Sequence, residues 1–399
     1  MGGTGVVRAR LFKLAALCVF LGTITGCAWD ADQPGPGVVV RDTLPAGRIV
    51  ARVTATEAPP TWELRERFRI GASEGDGPDV FGEVRDVELG PRGETFVLDG
   101  QAAEVRVFGS EGTYLRTLAR PGEGPGELNR PAGLTLDRDG NVWVLNWGNS
   151  RYTAFDPTTG DVVEEHQRLA SFVAFRWPGA FDAEGRLIDV GLDQTGEAAI
   201  LRLDSDFVPS DTLPFPTADD AHRILIRRGE MLVMSALDPF APQPAWSPGP
   251  DGIVVGEGGA YRLHRIGFDG DTMLTVEVSA PSVRVTASER DSVLTAFQEL
   301  VESSGGTPER QPRVPDTKPA HGPILLDEQN RLWVQRLPAA GEAPRWDVLG
   351  SEGDYVGHVR LPMVVNAVLR SVRADRVAVS AELAGVPTVI VYDLVKGSG

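Results

Sequence analysis

Cysteine is nearly absent. The 399 residues include two, Cys18 and Cys27, too few for a disulfide framework or a thiolate metal site. Lysine is scarce as well, at positions 13, 318 and 396, so the positive charge is almost all arginine. Basic residues number 39 against 56 acidic ones, a formal net charge of −17. A chain this acidic repels a phosphate backbone, which excludes nucleic acid as a partner. The longest apolar run, Leu14 to Gly26, falls short of the roughly 20 residues a membrane-spanning helix needs. What is abundant is glycine and proline, 46 and 30 residues, beside 42% hydrophobic content. That balance buries a core but breaks helices, and it predicts many short strands joined by turns.

The first 26 residues read as a signal peptide, with Arg8, Arg10 and Lys13 ahead of the apolar run. The run ends Ile24-Thr25-Gly26-Cys27. This resembles the bacterial lipobox, which implies cleavage before Cys27 and its lipidation. Acyl chains at about 0.8 kcal/mol per buried methylene would make that anchor durable. Position 28 is Ala rather than the Asp of inner-membrane retention, so the expected location is the cell envelope at the outer membrane. Residues 27–61 read as a lipidated tether, Gly/Pro-rich over 28–37, with short strands possible at Val38–Val40 and Arg48–Val53.

From Trp62 a unit recurs: a strand, a tight turn of the type Asp-x-x-Gly, and a second strand rich in Val and aromatics. Six copies begin at Gly93, Gly140, Gly185, Gly252, Asn330 and Asp375, spaced 47, 45, 67, 78 and 45 residues apart. The two long intervals imply insertions at about 214–245 and 279–321. Without them each unit takes about 43 residues, the length of a four-stranded propeller blade. The last copy shows three clear strands, and alternation over Trp62–Arg69 predicts the closing fourth. The expected fold is an all-β, six-bladed β-propeller over 62–395 with one inserted α-helix. A seventh blade built on the hairpin Ile224–Met234 is the alternative.

Residues Gly126-Glu-Leu-Asn-Arg-Pro131, Asp137-Arg-Asp-Gly140-Asn-Val-Trp-Val-Leu-Asn146 and Asn149-Ser-Arg-Tyr-Thr-Ala-Phe-Asp156 resemble an NHL repeat. The pattern's Asp at the end of the second strand is present as Asp99 and replaced by Asn146 in the next unit. The loop Gly122–Glu127 is glycine-rich, yet it has no Lys and opens no helix, so it reads as an interblade turn rather than a phosphate cradle. Six-bladed relatives of this kind include calcium-dependent lactonases. That resemblance implies Glu83, Asp99 and Asn146 as candidate hard-cation ligands.

Thr286-Ala-Ser-Glu289 fits a capping box, with Val293, Phe297, Leu300 and Val301 at helical spacing, so a helix is predicted over 287–303. In an outward-running propeller, loops after second strands and links into first strands share one face. Asp99, Asn146, Trp147 and Asn149 belong to the first set; Glu123, Glu127, Asn129 and the 279–321 insertion belong to the second. With Arg336 these form the candidate ligand-binding face, Trp147 as an interface anchor and Arg336 as the charge for an acidic partner. The function expected is a non-catalytic, lipid-anchored binding protein for an envelope protein, peptide or glycan, without cofactor. The alternative is a calcium-dependent, lactonase-like hydrolase with its site at the central channel.

Overall fold

A computed structural model describes residues 39–43, 49–54, 61–170, 177–362 and 365–396. The segments read from the sequence as signal peptide, lipidated Cys27 and 28–37 spacer lie outside the described residues. Six antiparallel four-stranded blades follow one another. Blade 1 runs from Val84–Leu89 to Tyr114–Leu118, blade 2 from Pro131–Leu136 to Val162–Gln167, and blade 3 from Ala180–Phe181 to Pro209–Pro214. Blade 4 runs from Ala245–Gly249 to Thr272–Ser279, and blade 5 from Ile324–Leu326 to Tyr355–Arg360. Blade 6 takes its three inner strands from Val365–Arg373, Arg376–Leu383 and Val386–Val395. Its outer strand is Glu63–Ile70, with Glu63 opposite Val395 and Ile70 opposite Val389. The strand that opens the 62–395 segment and the strand that ends it thus share one blade, which closes the ring.

The period-2 pattern of the second strands explains how the blades cohere. Phe96 and Leu98 enter the seam between blades 1 and 2, while Val97 between them enters the seam between blades 6 and 1. Val142 and Val144 pack toward blade 1, Trp143 and Leu145 toward blade 3. Each sheet is apolar on both faces, so neither face is stable without a neighbour. The turns are held by their own aspartates. Asp137 accepts from the Asn141 N–H at 2.9 Å and the Trp143 indole at 2.9 Å; Asp327 does the same for Arg331 at 3.0 Å and Trp333 at 2.8 Å.

Two features depart from a plain ring. Strands Val39–Thr43 and Ile49–Thr54 form a hairpin whose second strand lies parallel to Leu274–Ser279, widening blade 4 to six strands. Ala51 and Val53 are buried among Leu274, Val276 and Leu349. The seventh-blade alternative falls. Strands Arg223–Arg228 and Met231–Leu237 pair with each other and with Thr307–Pro308, which comes from the other insertion. The two insertions therefore make one three-stranded sheet of their own. It is accompanied by the helix Ala287–Ser304, which carries the complete Thr286/Glu289 capping box and ends at Gly305 in the left-handed region.

Candidate functional site

Three cations and one aspartate fasten the insertions. Asp238, 3% exposed, accepts two bonds from the Arg310 guanidinium at 2.6 and 2.9 Å and one from the Arg313 N–H at 2.8 Å. Those contacts cross from one insertion to the other. Arg228 donates to the carbonyls of Ser304 and Gly305 at the helix C-terminus, at 2.7 and 3.1 Å. The buried ammonium of Lys318 bonds the Glu289 carboxylate and donates to the Pro338 carbonyl at 2.7 Å, pinning the helix start to blade 5. Lys318 and the Thr286 N–H hold the Glu289 carboxyl down at about 2.

Beside this module lies a cavity of about 510 Å³, within the range of ligand sites. Its walls are Phe240, Pro244, Trp246, His321, Pro323 and Leu337. They come from the first insertion, the inner strand of blade 4, the link into blade 5 and the loop after blade 5's second strand. Topologically this is the insertion-bearing face. Phe240 holds a φ of 57°, a conformation costly for a bulky residue and of the kind kept at ligand clamps. Burial pushes the His321 imidazole below its ordinary value, so it is neutral at pH 7.

The residues singled out from the sequence have other work nearby. Asp99 is fully buried and accepts from the N–H groups of Gly82, Glu83, Gln101 and Ala102 at 3.0 to 3.2 Å, with Arg106 at 3.5 Å. Asn146 repeats the role one blade on, accepting from the Asn129 N–H at 2.8 Å and donating to the Glu127 carbonyl at 2.7 Å. Asn149 donates to the carbonyls of Gly122 and Glu127. The Glu127 side chain turns back onto the Gly124 N–H and Arg120, which hold its carboxyl below the usual range. Thus Glu127, Asn129, Asn146 and Asn149 do come together, as the lacing of one interblade link. Glu123 is exposed and lends its carbonyl to Arg151 at 2.5 Å. Trp147 is half-buried under the Arg130 guanidinium, 4.2 Å from its ring centroid.

Arg336 stands in a different blade and is not displayed to a partner. It donates to the Pro281 carbonyl at 3.1 Å and lies 3.8 Å from Asp347, which is wholly buried. Asp347 also accepts from Arg345, Tyr355 and Tyr261 at 2.7, 2.7 and 3.1 Å. A similar buried centre, Asp189 with Arg168, Tyr152 and Trp177, lies between blades 2 and 3. Burial raises the tyrosine hydroxyls of both centres, so they donate rather than ionise.

A calcium site on Glu83, Asp99 and Asn146 does not fit. The Asp99 oxygens are filled by backbone N–H groups, and the Glu83 carboxylate faces Arg85 at 2.6 Å. Among the described residues no group of three or more His, Cys, Asp or Glu side chains is disposed to hold a metal.

The central channel is the second cavity, about 390 Å³, walled by the inner strands of all six blades and the turns that follow them. Leu136, Trp177, Phe181, Trp246, Pro248 and Pro250 form an apolar arc along blades 2 to 4. Asp86, Glu88, Glu328, Arg370, Ser371 and Arg373 form a polar arc on blades 5, 6 and 1. Side chains on this wall lace the seams: Asp86 accepts from the Leu134 N–H at 3.2 Å, Ser371 from the Leu89 N–H at 3.3 Å.

Residues 80–178 match the model of a family described as a 6-bladed beta-propeller. Over 90 residues the chain is 30% identical to the mouse NHL repeat-containing protein 3. The chain is a six-bladed β-propeller, and its second blade is similar to NHL repeats. The mouse alignment covers 22% of this chain and 26% of the relative, so the chain spans about a quarter of that protein's length. A solved Bacteroides fragilis structure, named as an exported protein, superposes at a TM-score of 0.52 and 10% identity, covering 88% of this chain and all of its own. Virginiamycin B lyase from Staphylococcus aureus covers 84% of this chain and 100% of its own at 10% identity, with a TM-score of 0.42. The first likeness concerns the fold alone, and nothing is argued from the second.

Proposed function

We propose that this propeller is a lipid-anchored binding protein of the bacterial envelope, tethered through Cys27. It receives an apolar or aromatic side chain of a protein or peptide partner in the cavity on its insertion-bearing face. The observation that carries this reading is the composition of that cavity. Phe240, Trp246, Leu337 and the prolines 244, 319 and 323 supply apolar surface, and the Asp238 and Lys318 contacts fix the walls in advance. Preformed aromatic pockets of this kind hold interface anchors, because little freedom is lost on binding. Capture from envelope extracts tests it: wild type and Asp139→Ala, altered in an exposed turn of the opposite face, should retain the same partner, and Phe240→Ala should lose it. Retention by Phe240→Ala with loss by Asp139→Ala would move the site to the turn face.

A further inference from the structure

The insertions leave one sheet edge without the charges and prolines that protect the others. A free strand edge invites pairing with another chain, and natural proteins blunt it with such residues. The outermost strands of the blades carry charge at Arg116, Glu164, Asp211, Arg360 and Glu66, and the hairpin that widens blade 4 carries it at Arg41. Met231–Leu237, the edge of the insertion sheet, contains neither charge nor proline. Met231 and Leu232 are 58% and 51% exposed, and no residue of the strand is buried. Among the described residues it pairs with Arg223–Arg228 alone, and no backbone bond reaches it from the other side. Its one irregularity, a bulge at Val233, leaves Met234–Leu237 in regular register with Arg223–Ile226.

We infer that this edge pairs with the same edge of a second copy of the chain, joining two three-stranded sheets into one of six strands. Alternate residues of an edge strand point both backbone groups outward, and a polypeptide strand is what satisfies them in series. Pairing an edge with itself about a twofold axis is antiparallel and closed, so it ends the edge instead of propagating it. Centred on Met234, that pairing sets Met231 against Leu237 of the second copy and Leu232 against Ala236. Every cross-strand pair is neutral, and the two exposed apolar side chains are covered. The same operation on other outer strands sets Arg116 against Arg116, or Glu164 against Glu165, and like charges directly opposite are destabilising. Just beyond the strand Glu230 comes opposite Asp238, whose carboxylate the Arg310 guanidinium already neutralises at 2.6 and 2.9 Å. The second copy is therefore a partner whose charges do not oppose this edge.

The test is sedimentation equilibrium of the purified full chain in a neutrally buoyant detergent. Expected is a concentration-dependent mass that reaches twice that of one chain. Met234→Lys sets two ammonium groups against each other across the axis and should halve that mass, while Val40→Lys, on the charged edge of blade 4, should not; melting temperatures check folding. If Met234→Lys does not fold, Met234→Cys decides. Paired Cα atoms about 4.5–5.5 Å apart lie within the roughly 4.4–6.8 Å that a disulfide spans. Mild oxidation with copper phenanthroline should then give a covalent dimer from position 234 and none from Val40→Cys, with the unaltered chain as the blank for Cys18 and Cys27. Phe240→Ala should keep the dimer, so loss of the face partner and loss of the second copy are separable. A monomer at every concentration, a dimer that survives in folded Met234→Lys, or no covalent dimer from position 234 would overturn the inference.

Discussion

Trp62→Ala probes the closure of the ring at a single side chain. Trp62 opens the segment that becomes the outer strand of blade 6, and it is 4% exposed. It sits in the seam with Trp346, Leu394 and Trp333, edge to face with Trp333 at a centroid separation of 6.1 Å. Its N–H donates to the His358 carbonyl of blade 5 at 2.8 Å, a contact the substitution keeps. Truncating a buried Trp costs about 3–5 kcal/mol, transfer and cavity together. Of this, an aromatic pair accounts for about 0.5–1.5 kcal/mol. Arg65→Ala, in the same strand with an exposed side chain, should stay within about 0.5 kcal/mol. At roughly 2 °C per kcal/mol for a domain of this size, Trp62→Ala should melt about 6–10 °C lower. Scanning calorimetry and guanidinium titration read both variants. A folded Trp62→Ala protein within 1 kcal/mol of wild type would show that the closing segment contributes no seam.

Asp238→Ala strips the acceptor from Arg310 and Arg313 and should cost the insertion module about 3 kcal/mol; limited proteolysis should then cut within 214–245 and 305–319 before the blades, and an unchanged digest would refute the fastening. Burial, with Arg345 close by, holds the His358 imidazole down to about 4. The unfolded chain, near 6.5, binds that proton first, so stability should fall as pH drops from about 6.5 to 4, by up to roughly 3 kcal/mol. His358→Gln should flatten that segment of the stability curve, and parallel curves for the two proteins would contradict it. Asp99→Ala orphans backbone N–H groups at a blade link and should destabilise by about 1–3 kcal/mol without any calcium dependence of melting; a calcium-induced rise in wild-type melting would restore the metal reading. Cys27→Ser should move the protein from the membrane to the soluble fraction, and unchanged fractionation would remove the lipid anchor.

The architecture was legible because it rests on local signals that repeat. Turn glycines such as Gly140, and second strands such as Val142–Asn146 with alternate residues for the two seams, state the blade directly. The closing strand was legible because Trp62–Arg69 alternates with no turn partner of its own. Sequence distance hid what lay between elements. Nothing local in 223–237 says that it pairs with Thr307–Pro308, and the hairpin therefore resembles an extra blade. Asp99 and Asn146 illustrate the limit at the site. A strand-end Asp or Asn suits ligand binding or turn capping equally well, and only the placement of Gly82 and Asn129 decides for capping. Arg336 shows the same limit, its neighbour Asp347 lying one strand over and out of reach of any local pattern. Asp189 and Asp347 did leave a signal, a lone acid within an apolar strand, which marks a buried polar centre wherever Arg and Tyr lie within reach.

Site-specific photo-crosslinking tests the binding face most directly. A benzophenone side chain placed at Phe240, and in a separate protein at Asp139, is irradiated in intact cells that express the full chain. The account predicts a discrete covalent adduct with an envelope partner from position 240 and none from position 139. An adduct from 139 with none from 240 would contradict it.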